Sequence, residues 1–157
     1  MNGLRDAVGV AESTRRRRRR VHSTALDRLI ALVAHLRSPK GCPWDRKQTH
    51  LSLIKFLREE SRELEKALRR GRRHEIEDEL GDLLLQILLH AQIAGEKKQF
   101  DIQDVALSQH RKLVRRHPHV FGRAKLRTAG EVLASWDEIK RRERRQRHRD
   151  LQRRKTR

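Results

Sequence analysis

Apolar residues recur at three- and four-residue steps along most of this chain, with polar and charged residues between them. Leu26, Leu29, Ile30, Val33 and Leu36 step in this way behind Thr24, a residue suited to N-cap a helix. Ser38-Pro39-Lys40-Gly41-Cys42-Pro43 then ends the pattern, because two prolines and a glycine interrupt a continuous helix. A second helix is predicted from Thr49 or His50 to about Arg70, with Leu53, Phe56, Leu57, Leu64, Ala67 and Leu68 on one stripe. Gly71 sits within Arg69-Arg70-Gly71-Arg72-Arg73, where a glycine can close the helix in a left-handed conformation. The third helix has the clearest pattern, with Ile76, Leu80, Leu83, Leu84, Ile87, Leu88 and Ala91 on one side. A link this short makes the second and third helices antiparallel neighbours.

Asp101 and Asp104 open a further helix that ends before Pro118, and a last one is predicted from Thr128 or Ala129 through Lys140. No segment alternates with period two for long enough to argue for a strand, so the fold class is all-α. Two long amphipathic helices expose more apolar surface than a lone hairpin can bury. Pairing with a second copy of the chain is the expected remedy.

Composition refines this reading. At 35% hydrophobic and 39% charged, the chain would read as disordered if its apolar residues were scattered, but nearly all lie between Ala25 and Lys140. The net charge of +19 is uneven. Residues 1–20 hold 7 basic and 2 acidic groups, residues 141–157 hold 10 and 2, and residues 21–140 hold 23 and 17. The body is therefore only moderately basic, which suits an anionic ligand, while the tails set the extreme isoelectric point. The expected organisation is a disordered Arg-rich segment over 1–23, one folded domain over 24–143 and a basic tail over 144–157. A single cysteine, Cys42, excludes an internal disulfide and a Cys-based zinc site. No apolar run reaches the length of a membrane span and no apolar segment follows Arg15–Arg20, so the expected location is the cytoplasm.

Acidic residues on the second and third helices carry the candidate chemistry. Glu59-Glu60-Ser61-Arg62-Glu63 lies on the second, and Glu79-Leu80-Gly81-Asp82 on the third. Within each helix an i, i+3 pair projects from one face. Leu53, Leu57, Glu60, Leu64 and Ala67 follow one another at helical spacing, so Glu60 interrupts an apolar stripe; Glu79 is flanked likewise by Ile76 and Leu83. Two such pairs facing each other across a hairpin either protonate or bind a cation, since unit charges about 4 Å apart repel by roughly 4 kcal/mol at an effective dielectric of 20. All-oxygen donors point to a hard ion, Mg²⁺ or Mn²⁺. The bland alternative is ordinary i, i+3 pairing on solvated faces, Glu59 with Arg62 or Glu63 with Lys66. A di-iron site of the ferritin kind needs Glu-x-x-His, and His74, His90 and His110 follow Gly71, Ile87 and Leu107 instead.

Three further segments stand out. Gly41-Cys42-Pro43-Trp44-Asp45 presents a tryptophan ahead of the acidic helix, either as a cap on the core or as a face for a base. Lys112 and Arg116 stand at i, i+4 near a helix end, where cations offset the helix dipole or converge on a polyphosphate. Trp136 and Lys140 repeat that spacing.

Together, Gly41-Cys42-Pro43-Trp44-Asp45 with Gln48-Thr49, the Glu-Glu-x-x-Glu run at 59–63, Glu79-Leu80-Gly81-Asp82, Arg115-Arg116-His117-Pro118-His119-Val120-Phe121 and Trp136 to Lys140 resemble the MazG family of nucleoside triphosphate pyrophosphohydrolases. The resemblance spans roughly residues 25–143, in the family's order. It implies an all-α hairpin or bundle that dimerises through a four-helix core, and hydrolysis of a nucleoside triphosphate to the monophosphate and pyrophosphate. It also implies Mg²⁺ (with Mn²⁺ as a substitute) on Glu60, Glu63, Glu79 and Asp82, and a water-orienting or outer role for Glu59. Phosphate contacts would come from Lys112, Arg116 and Lys140, and base stacking from Trp44 or Trp136. Longer family members carry two such domains and this chain one, and the Arg-rich tails lie outside the family pattern. The competing reading is a basic helical protein that binds nucleic acid without catalysis, motivated by the net charge. It leaves unexplained why Glu60 interrupts an apolar stripe.

Overall fold

The computed structural model describes residues 24–155 and shows an all-α chain. The segment 1–23, expected to be disordered, lies outside the described residues. The helices are α1 (Ala25–Leu36), α2 (Pro43–Lys47), α3 (Ile54–Arg70), α4 (Arg73–Glu96), α5 (Ile102–Arg116), α6 (Pro118–Phe121) and α7 (Ala129–Lys155). The chain divides into two compact units, one ending at His90 and the other beginning at Ala91, with the boundary inside α4.

In the first unit, α1 starts on a capping box: the Thr24 hydroxyl accepts from the Asp27 N–H, and the Asp27 carboxylate accepts from the Thr24 N–H at 2.8 Å. After α1 the chain turns tightly. The Gly41 N–H donates to Ser38 O and the Cys42 N–H to Leu36 O. Pro43 then opens α2, a short helix that the break in the apolar pattern did not announce; the Arg37 guanidinium donates to Asp45 O within it. Gln48 Nε2 donates back to Trp44 O, fixing the backbone that carries the tryptophan.

Helix α3 begins at Ile54, later than the apolar pattern suggested. Thr49 and Ser52 explain the delay, because each backbone N–H donates to the other's hydroxyl and so holds residues 49–52 in a separate turn. That turn is tied to α4 through His50, whose ring lies parallel to that of His90 with the two Nδ1 atoms at hydrogen-bonding distance, 2.9 Å apart. Burial, then the proximity of His50, holds the His90 imidazole below the usual histidine range. Val33, Leu53, Ala67, Leu88 and Leu89 form the buried apolar core of this unit. Gly71 closes α3 at φ 71°, with its N–H on Ala67 O. The chain reverses there into α4.

In the second unit, Asp101 caps α5 through a capping box with Asp104, as their spacing predicted. Helix α5 packs against both α6 and α7. Helix α7 does not fade at Lys140 but continues through the Arg-rich sequence to Lys155. Among the described residues no helix is long and apolar enough to cross a membrane.

Gly41 is the position where a side chain is least tolerable, since a Cβ there would lie 2.2 Å from the carbonyl oxygens of both His35 and Leu36. Backbone atoms cannot swing aside as a side chain would. Gly41→Ala is expected to lower unfolding stability by about 3 kcal/mol, at the upper end of overpacking effects, as a shift in the urea midpoint.

Candidate metal centre

Helices α3 and α4 fold back on each other at Gly71, and this sets which of their residues meet. Glu60 and Asp82 lie equally far along the chain from Gly71, as do Glu63 and Glu79. Glu60 from α3 and Glu79 and Asp82 from α4 each offer a carboxylate oxygen, and the three atoms lie within 4.8 Å of one another. Glu60 and Glu79 are half-buried while Asp82 is exposed, so the cluster opens to solvent on one side. The donor set is all oxygen, with no histidine or cysteine in the group. That chemistry fits a hard divalent cation that retains part of its water shell.

Electrostatics agree with the geometry. Partial burial, followed by the negative charges of Asp82, Glu59, Glu79 and Glu63, pushes the Glu60 carboxyl above the ordinary glutamate range. Burial and then Glu63, Asp82, Asp78 and Glu75 push Glu79 in the same direction. Glu63 thus acts on both carboxylates by its charge but is not a member of the close trio. Its Oε1 accepts from Lys66 Nζ at 2.7 Å, the i, i+3 pair that the spacing allowed. Glu59 stands exposed beside Glu60 on α3.

Trp44 also belongs to the first unit. Its ring meets Phe56 in a T-shaped arrangement with centroids 5.5 Å apart, yet half of the residue remains exposed. It is anchored and still presents an aromatic surface.

The other candidate ligand-binding residues lie in the second unit. Lys112 Nζ donates to Gln109 on its own helix and Lys140 Nζ lies 3.5 Å from Asp137 on its own, so among the described residues each lysine pairs within its helix. Arg116 is different. Its guanidinium lies 5.5 Å from the Trp136 ring and donates to Glu143 Oε2 at 2.6 Å through Nη2. Arg115 reaches the other oxygen of the same carboxylate at 2.5 Å. Trp136 is further held by the His117 ring, T-shaped at 4.9 Å. The hydrogen bond from Arg116 first, and that from Arg115 with it, hold the Glu143 carboxyl below the usual range. Sequence reasoning passed over Glu143. Its signal was faint: Trp136, Lys140 and Glu143 share one helix face at four- and three-residue steps, but an acid in an Arg-rich run reads as ordinary pairing.

Comparison with known proteins bears on both units. Residues 48–121 match the family described as MazG nucleotide pyrophosphohydrolase domain. The chain is 46% identical over 114 residues to the nucleoside triphosphate pyrophosphohydrolase/pyrophosphatase MazG of Thermotoga maritima, covering 73% of this chain and 43% of that one. It is 42% identical over 122 residues to the nucleoside triphosphate pyrophosphohydrolase of Escherichia coli K12, covering 77% and 46%. Among solved structures, the crystal structure of a mazG-related protein from Thermotoga maritima superposes with a TM-score of 0.61 at 28% identity, covering 73% of this chain and 98% of that one. The chain spans less than half the length of the curated relatives it matches.

The raised carboxyls fix the sign of a pH effect. Between the ordinary glutamate range and the raised values the folded state binds more protons than the unfolded chain, so metal-free stability falls as pH rises through that window. Groups held low, such as Glu143, act oppositely and lose their contribution below the ordinary range. Glu60→Gln is expected to flatten the first dependence and to raise the metal-free melting temperature at neutral pH. Mg²⁺ is expected to raise the melting temperature of the wild-type chain, and to raise that of the same variant by less, measured by thermal unfolding with and without the ion.

Proposed function

The chain carries a nucleotide pyrophosphohydrolase domain of the MazG family, and from that premise we propose that residues 24–143 hydrolyse nucleoside triphosphates to the monophosphate and pyrophosphate with Mg²⁺ as the metal. The observation that carries this reading is the convergence of Glu60, Glu79 and Asp82 from two helices onto one point. Glu60, Glu79 and Asp82 would hold the ion, and Glu63 would complete the set by giving up its pairing with Lys66. A bound Mg²⁺ supplies charge neutralisation for phosphate oxygens and makes water easier to deprotonate.

The remaining work falls to side chains. Glu59 orients the attacking water and takes its proton as the water oxygen bonds to the α-phosphorus. The bond from that phosphorus to the bridging oxygen breaks, and its electrons leave with pyrophosphate. Lys112, Arg116 and Lys140 bind phosphate oxygens and offset the charge that gathers on the leaving group. Trp44 or Trp136 stacks on the base, and the half-exposed ring of Trp44 supports the first choice. Cys42, without an activating base, has a structural role.

Homodimerisation is part of the same reading. Leu68 on α3 and Leu80 and Ile87 on α4 are exposed at 57%, 51% and 42%, on the helices that carry the carboxylates. Pairing two hairpins into a four-helix core would cover them and stiffen the site.

The test is pyrophosphate release from a panel of ribo- and deoxynucleoside triphosphates with Mg²⁺ or Mn²⁺. Glu79→Gln and Asp82→Asn are each expected to lower kcat by about 100-fold or more. A chain that releases pyrophosphate from no nucleotide sinks the assignment. Sedimentation equilibrium checks the assembly: the wild-type chain should run as a dimer and Leu80→Glu should shift it to monomer.

A further inference from the structure

The basic tail, expected to lie outside the folded domain, is helical as far as Lys155. Helix α7 runs unbroken to Lys155, and from Arg141 onward its sequence holds nine basic and two acidic residues. At 1.5 Å per residue this half of the helix is about 22 Å long. The arginines crowd one another at helical spacing, and like charges at i, i+4 destabilise a helix unless something anionic lies along it. Internal acids do little to relieve them. Arg142 pairs with Glu138, and Glu143 is taken by Arg115 and Arg116. Arg141, Arg144, Arg145 and Arg147 are exposed and make no ion pair among the described residues.

Beside this helix lies an open groove of about 720 Å³, lined by Arg115 from the end of α5 and by Arg142, Arg145, Arg147 and Arg149 of α7, with Glu143 and Asp150 as its only acids. Groove and exposed helix surface together present a dense set of guanidinium groups along this half of α7. Guanidinium matches the phosphodiester in shape as well as charge, because its fork of N–H donors meets two phosphate oxygens at once. That stretch is too long for a single triphosphate group. Duplex nucleic acid, by contrast, offers one negative charge about every 1.7 Å along its axis. A lipid surface fits less well. Beyond Lys140 the helix has Leu151 as its only large apolar residue, and a helix that lies in a membrane interface needs an apolar face.

We propose that residues 141–153 of α7, with the groove they form beside Arg115, are a sequence-independent binding surface for the phosphate backbone of nucleic acid. The surface shares no residue with the carboxylate cluster, whose three members all belong to the unit ending at His90. It adds a site to the catalytic reading and does not depend on it.

The experiment uses the full chain with EDTA present, so that hydrolysis is silent. Binding of a fluorescent mixed-sequence DNA duplex is followed by anisotropy across a salt series, beside the variant Arg144→Ala/Arg145→Ala/Arg147→Ala. The wild-type affinity should fall steeply with salt. The variant should bind at least tenfold more weakly, with a log–log salt slope smaller by about 3, since each neutralised phosphate contributes roughly 0.9 to that slope. The corresponding triple-lysine variant should retain most of the affinity, which separates removal of charge from unfolding. A scrambled duplex should bind equally well. The proposal is overturned if the alanine variant binds the duplex as the wild type does, or if replacing Arg15–Arg20 alone abolishes binding. It is overturned equally if phosphatidylserine vesicles, and not the duplex, are bound through these arginines.

Discussion

Mutual repulsion among carboxylates held on a rigid hairpin is the constraint around which the first unit is built. Glu60, Glu79 and Asp82 sit on helices whose register is set by the left-handed turn at Gly71, so they cannot drift apart without moving backbone. Partial burial makes the repulsion worse, and it shows in the raised carboxyls of Glu60 and Glu79. A helix pair selected only for stability would place leucine at these positions, as it does at Leu57 and Leu64 along the same stripe. A divalent cation joining it would make the arrangement favourable, and stability forgone in the metal-free state would then be recovered as binding.

Much of this was legible in the sequence because helical periodicity is a local property. The interruption of the apolar stripe by Glu60, the glycine at the end of α3 and the short link to α4 together determine which carboxylates meet. What escaped notice depends on contacts that spacing does not encode. The delayed start of α3 arises from Thr49 and Ser52 capping each other, a competition between side-chain and helical hydrogen bonds. The contact between the Nδ1 atoms of His50 and His90 joins residues forty positions apart. Glu143 reads as one more charge in a basic tail until α5 is placed against α7. The end of α7 was misjudged for a related reason: arginine has good helix propensity, but the absence of apolar periodicity beyond Lys140 looked like the end of the helix.

The two aromatic candidates differ in how they are held. Trp44 is pinned at one edge by Phe56, and its backbone is fixed by Gln48 and by the turn at Gly41, which leaves part of the indole open. Trp136 is enclosed by the His117 ring and the Arg116 guanidinium. An enclosed ring contributes to packing, and an open one anchored at its edge gives a ready stacking surface at small entropic cost.

Arg116 carries a conflict that the Glu143 contact resolves. A guanidinium that is to meet a polyphosphate must be fixed in place, yet a half-buried cation without a partner is costly. Glu143 satisfies both demands by accepting from Arg115 and Arg116 on opposite oxygens, while Trp136 lies against the Arg116 guanidinium. One carboxylate shared by two guanidinium groups leaves a net positive charge, so the clamp orders Arg116 without neutralising it. A single acid in a run of arginines, with no motif to mark it, therefore does the positioning that the phosphate-binding role proposed for Arg116 would require.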